Sequence, residues 1–137
     1  MHILFGVAVF ALFMAAPATA STCDSHLATI DRELKAAEGT LSPTRAHGHL
    51  TTAEETLAAF AAAGCHTPLL EQGVRQFLGL PPTADPCTAV RERATRYTAT
   101  SRSWADGTGG FRDRAARTYA KAATFNDRVA DTLGCAR

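Results

Sequence analysis

Four cysteines, at 23, 65, 87 and 135, and four of the five histidines, at 26, 47, 49 and 66, are the side chains of this 137-residue chain best suited to redox or metal chemistry. Their spacing argues against both. No C-x-x-C occurs, so a thioredoxin-type redox pair and a zinc knuckle lack support, and without C-x-x-C-H ordinary c-type haem attachment is excluded. His47 and His49 offer two imidazoles of the kind copper and zinc accept, but the surrounding loop supplies no cysteine or carboxylate to complete a set. They are expected to be solvated. His26 and His66 each follow a cysteine closely and are expected at the same end of the fold, where they make a weak candidate pair for metal or haem. Capping of nearby helix carbonyls is the favoured role for His66. No cofactor is expected.

Catalytic motifs are missing as well. Serine, histidine and aspartate occur, but in no G-x-S-x-G or H-E-x-x-H arrangement. Asp106-Gly-Thr-Gly-Gly has the composition of a phosphate loop, yet it joins two helical patterns and lacks the strand and lysine of a P-loop. No enzyme is expected. Arg91, Arg93, Arg96 and Arg102 interleave with Tyr97 and Trp104, and Arg112, Arg114, Arg117, Lys121 and Arg128 follow. Such groups suit phosphates, carboxylates and stacked bases. Tyr97 and Trp104, however, fall on an apolar stripe and are assigned to the core. Arg93 and Arg114 are expected to pair with acidic groups elsewhere, and no nucleic-acid partner is expected.

The compartment follows from the first residues. Residues 3–16 are apolar and precede Pro17 and Ala18-Thr19-Ala20, a small-x-small site that signal peptidase accepts. This run is shorter than the roughly 20 residues a membrane span needs. Residues 1–20 are therefore expected to be a signal peptide cleaved after Ala20, leaving no membrane span. The expected product is periplasmic or secreted, and its four cysteines read as two disulfides. The leader departs from the usual pattern in carrying no lysine or arginine.

The elements that must position these groups are helices, forming one domain over 21–137. Leu27, Ile30, Leu34, Ala37 and Leu41 recur at helical spacing, with Ser21 and Asp24 as a capping box and Gly39 as terminator. Residues 39–50 read as a loop, and a second helix is expected from Thr51, with Ala53, Leu57, Phe60 and Ala61 inward. Thr67-Pro68 starts a short helix that Gly79 ends. Asp85-Pro86 launches a third long helix through Cys87, Val90, Ala94, Tyr97, Ser101 and Trp104. After the 106–110 turn, a fourth carries Ala115, Tyr119, Ala122, Phe125, Val129 and Leu133 inward. No alternating strand pattern occurs.

The fold class is thus all-α: a disulfide-stapled antiparallel four-helix bundle of two hairpins, 21–65 and 87–137, joined by a connector, 66–86, that holds a short helix. In each antiparallel hairpin the first helix starts beside the end of the second, which favours Cys23–Cys65 and Cys87–Cys135. Cys23–Cys135 with Cys65–Cys87 is the alternative. The charge is split between the halves. Residues 21–86 hold four basic and eight acidic groups, and residues 87–137 hold ten and five, so the halves are expected to attract each other.

On function the sequence supports two expectations. The first is a non-enzymatic interaction module, an inhibitor or accessory protein with a protein partner. The second is a small-ligand carrier for haem, metal or an apolar molecule. Any pocket is expected beneath the short helix, lined by Leu70, Val74 and Phe77.

Overall fold

The computed structural model describes residues 19–136. The expected signal peptide lies outside them apart from its last two residues. Five helices make up the fold: α1 (Ala20–Gly39), α2 (Pro43–Ala62), α3 (Thr67–Leu78), α4 (Pro86–Ala105) and α5 (Gly110–Leu133). The described residues contain no strand, and both disulfides are formed, Cys23–Cys65 and Cys87–Cys135. Each disulfide ties the start of one helix to the residues just past the end of its hairpin partner.

Two helix starts differ from the sequence expectation. α2 begins at Pro43 rather than Thr51, so the loop shrinks to residues 40–42. Ser42 is the cap, its hydroxyl accepting from the Arg45 amide at 3.3 Å, and proline occupies the first turn where it forfeits no hydrogen bond. His47, Gly48 and His49 are carried inside the helix. Glycine there costs about 1 kcal/mol relative to alanine. Burial of Ala46 and Leu50 on either side offsets this, since burying one leucine contributes about 1.5–3 kcal/mol. The Thr51 hydroxyl, no longer at a cap, donates back to the His47 carbonyl at 2.9 Å. α1 is capped by Thr19, whose hydroxyl accepts from the Thr22 amide, while Ser21 sits in the first turn.

The core gathers at the disulfide end. Ile30 of α1, Leu57 and Phe60 of α2, Leu70 and Val74 of α3, Val90 of α4, and Phe125 and Val129 of α5 form one buried cluster that includes Cys23. Helix α3 packs closely because Gly73 is buried against α1. A Cβ at that position would lie 3.2 Å from Leu27 Cδ2 and 3.3 Å from Phe77 Cζ. The helix ends at Gly79, which adopts φ 60°, a left-handed conformation that side chains beyond glycine rarely take.

How the hairpins meet is specific. Helix α1 packs on α2 and α4 on α5, and the hairpins join through α2 and α5. Pro43 meets Thr118, whose hydroxyl donates to its carbonyl at 2.8 Å, and Glu54 meets Lys121 and Arg128. Both partners advance together along their helices, so α2 and α5 run in the same direction. The chain goes up, down, up and down as expected, and the two hairpins lie side by side through the second and last of the four long helices. No Cα of α1 comes within 8 Å of any on α4 or α5.

Candidate functional site: a cleft between the hairpins

Because α1 and α4 stand apart, the bundle is open along one side. The opening leads into a cleft of about 510 Å3. Leu34 and Ala37 of α1 form one wall, and Val90, Tyr97 and Trp104 of α4 form the other. The floor comes from α2 and α5 through Ala46, Leu50, Ala115, Ala122 and Phe125. Val74, Phe77 and Leu78 of α3 close the end nearest the disulfides, and Leu41 and Phe111 stand at the loop end.

The aromatic residues owe their positions to helix periodicity. Tyr97 and Trp104 are seven residues apart on α4, two turns along one face. Tyr97 packs against Tyr119 of α5, with ring centroids 6.1 Å apart, and Trp104 meets Phe111 edge-on at 5.9 Å. The Arg112 guanidinium covers Trp104 at 5.0 Å and its Nε donates to the Trp104 carbonyl, pinning the α4–α5 turn. Gly107 makes room for this arginine, since a Cβ there would collide with it. Both Tyr97 and Trp104 had been expected in the core. They are half-buried instead, because α1 does not close over them.

Polar groups are few and placed at the mouth. Asp31 and Lys35 of α1 form an ion pair at 2.8 Å. Arg93 of α4 reaches across the opening to Glu38 of α1 at 3.5 Å and donates to the Tyr97 hydroxyl at 3.1 Å, its guanidinium lying over the same ring. Its Nε is buried without a hydrogen-bond partner. Asn126, on the floor, is buried and donates to the Ala122 carbonyl one turn back.

Two of the three residues anticipated for a pocket, Val74 and Phe77, line this cleft. Leu70 does not: it faces the core and is 1% exposed. The histidines do not assemble. His66 is exposed at the N-cap of α3 and its side chain makes no cap hydrogen bond there, and His26 is half-buried on α1. His49 is only partly solvated, against expectation. Carried into α2 rather than a loop, its Nδ1 lies 2.6 Å from Glu33 of α1. No group of three or more metal-ligating side chains occurs among the described residues.

Sequence reasoning missed the larger part of the cleft, including Tyr119, Phe111, Leu41 and Asn126. The available signal was the alanines at 46, 115 and 122, small side chains in a lining that also holds Tyr97, Trp104, Phe111 and Tyr119. Charge reasoning fared better. Arg93 pairs with Glu38, and Lys121 and Arg128 both meet Glu54, so the basic half does engage the acidic half. Arg114 does not follow this pattern, as its guanidinium lies beside Gly110 at the start of its own helix.

Fold and site together define a disulfide-stapled protein of two helical hairpins with an open, largely apolar cleft between them. Compared with models of protein families, with curated proteins and with solved structures, the chain matches none.

Proposed function

We propose that the protein is an exported, non-enzymatic carrier that holds a small apolar molecule in the cleft between α1 and α4. The cleft itself carries this reading. Small-molecule sites are typically concave, mostly apolar volumes of roughly 300–1,000 Å3 with a few placed polar groups. The observed cleft, at about 510 Å3 with its polar groups confined to the mouth and floor, has these properties. Two disulfides fit an oxidising compartment, and the apolar leader in 1–20 is the route there. Among the described residues no helix is long and apolar enough to cross a membrane.

The cleft favours a carrier over a protein-interaction module. A stable protein interface buries about 800 Å2 per partner around a cluster of large anchors. Among the described residues the large apolar side chains left exposed are Leu41 and Phe111, and both border the cleft. The ionisable groups at the mouth neutralise each other in pairs, so we read them as recognition groups rather than as acid or base.

Titration of the oxidised protein with a neutral naphthylamine dye tests the reading. Trp104, the single tryptophan, stands in the cleft wall and reports occupancy directly. Saturable binding of one dye per chain, with a change in Trp104 emission, is expected. Dye binding that is absent, or that persists unchanged in A122F, which fills the floor, would overturn it.

A further inference from the structure

The occupant can be narrowed by Arg93, a residue of the cleft lining whose Nε is buried without a hydrogen-bond partner. Arg93 presents an Nε that is buried and unpaired, while its Nη2 is engaged only by the Tyr97 hydroxyl at 3.1 Å and by Glu38 at 3.5 Å. A buried donor without an acceptor is costly, and the Nε–Nη2 edge of a guanidinium matches the two oxygens of a carboxylate. Glu38 fills that role poorly. Its contact exceeds normal hydrogen-bond length, and its side chain is 68% exposed, so water competes for it.

We infer that the cleft takes a long-chain monocarboxylate whose head group displaces Glu38 at Arg93, a proposal that rests on the carrier reading. Exchanging one carboxylate for another leaves the charge at Arg93 unchanged. The gain comes from two sources: an acceptor for the orphaned Nε, and burial of the acyl chain among Leu50, Val90, Tyr119 and Phe125. Charge selects a monoanion. The charged side chains lining the cleft are Asp31, Lys35, Glu38 and Arg93, which balance, so turning Glu38 out to solvent leaves a single positive charge to be met. Length is also suitable. From Arg93, which holds the head group, Trp104 lies eleven residues along the same helix, a span of about 16 Å that takes most of an extended long-chain acyl group.

The test compares hexadecanoate with its methyl ester on the full oxidised protein, read by Trp104 emission and by displacement of the neutral dye. Hexadecanoate should bind about tenfold or more tightly than the ester, since the ester keeps the chain and loses the charged head group. R93M should reduce this preference to about one while leaving ester affinity in place. E38Q should strengthen hexadecanoate binding and leave the ester unaffected, because it removes the competing carboxylate. Equal affinity for acid and ester in the parent protein overturns the inference but leaves the carrier reading intact. Failure of acid, ester and dye alike overturns both. Should R93M not fold, by circular dichroism, E38Q decides alone: no gain in acid-over-ester preference overturns the inference.

Discussion

Arg128 of α5 brings its Nε within 2.7 Å of Glu54 Oε1 on α2, and Lys121, two turns earlier, stands 2.7 Å from the other oxygen. The Glu54 side chain is only 13% exposed, so this carboxylate is held largely inside the one face on which the two hairpins meet. Oε2 makes ion-pair contact with Lys121 without hydrogen-bond alignment. Glu54→Gln should therefore lower stability by about 1–2 kcal/mol, more than an exposed pair is worth and less than a fully buried one, with Arg128 itself largely in solvent. Urea unfolding measures it. A change within error would mean that the Glu54 ion pairs contribute nothing to holding the hairpins together.

The disulfides staple the hairpins separately, at sequence separations of 42 and 48 residues. Replacing either pair with serine should cost about 4 kcal/mol in the chain-entropy view, and the two losses should be close to equal because the loops are of similar length. Loss of both should leave little of the stability expected for a domain of this size. Non-reducing peptide mapping checks the pairing on which this rests.

Ala122 lies in the floor of the cleft, which is open to solvent through the α1–α4 gap. Ala122→Phe should abolish dye binding while leaving the unfolding free energy, read from urea titration, within about 1 kcal/mol of the parent, since the ring enters existing space rather than packed core. A large loss of stability would show that the floor has no room to spare.

Leu41 is 97% exposed in the loop between α1 and α2. Leu41→Ser should change stability by less than about 0.5 kcal/mol. As Leu41 also borders the cleft, dye affinity should fall modestly, and the two readouts can be taken from one preparation.

Asp85 caps α4, accepting from both the hydroxyl and the amide of Thr88, at 2.7 and 3.1 Å. These hydrogen bonds, the hydroxyl's first, hold its carboxyl below the ordinary value of 3.8. A carboxyl whose affinity for protons is lowered by folding stabilises the protein above its unfolded value. That contribution disappears as pH falls through the lower folded value. Asp85→Asn keeps the cap but removes the titration, so the loss of stability on going from pH 5 to pH 2 should be smaller in the variant than in the parent. Parallel acid-unfolding curves would rule out a role for this carboxyl.

Much of the fold was legible because it depends on short-range spacing. Leu27 and Ile30, or Phe125 and Val129, share a face whatever surrounds them, and Gly79 and Gly134 stop their helices through local backbone preference. The start of α2 was misplaced for the same kind of reason in reverse. His47-Gly48-His49 has the look of a loop, and only burial of Ala46 and Leu50 against the rest of the fold carries the helix through it.

The sequence by itself determined the five helices bar the starts of α1 and α2, the all-α class and the attraction between an acidic and a basic half. It also favoured the cysteine pairing, because an antiparallel hairpin brings its own ends together. Only the tertiary structure decided that α2 lies alongside α5 and that α1 stands clear of α4. That choice is made by side chains far apart in the chain, such as Thr118 on Pro43 and Arg128 on Glu54, and no local pattern encodes it. It is also what turns Tyr97 and Trp104 from expected core residues into the wall of a cleft, and leaves Arg93 beside them with a donor still to be satisfied.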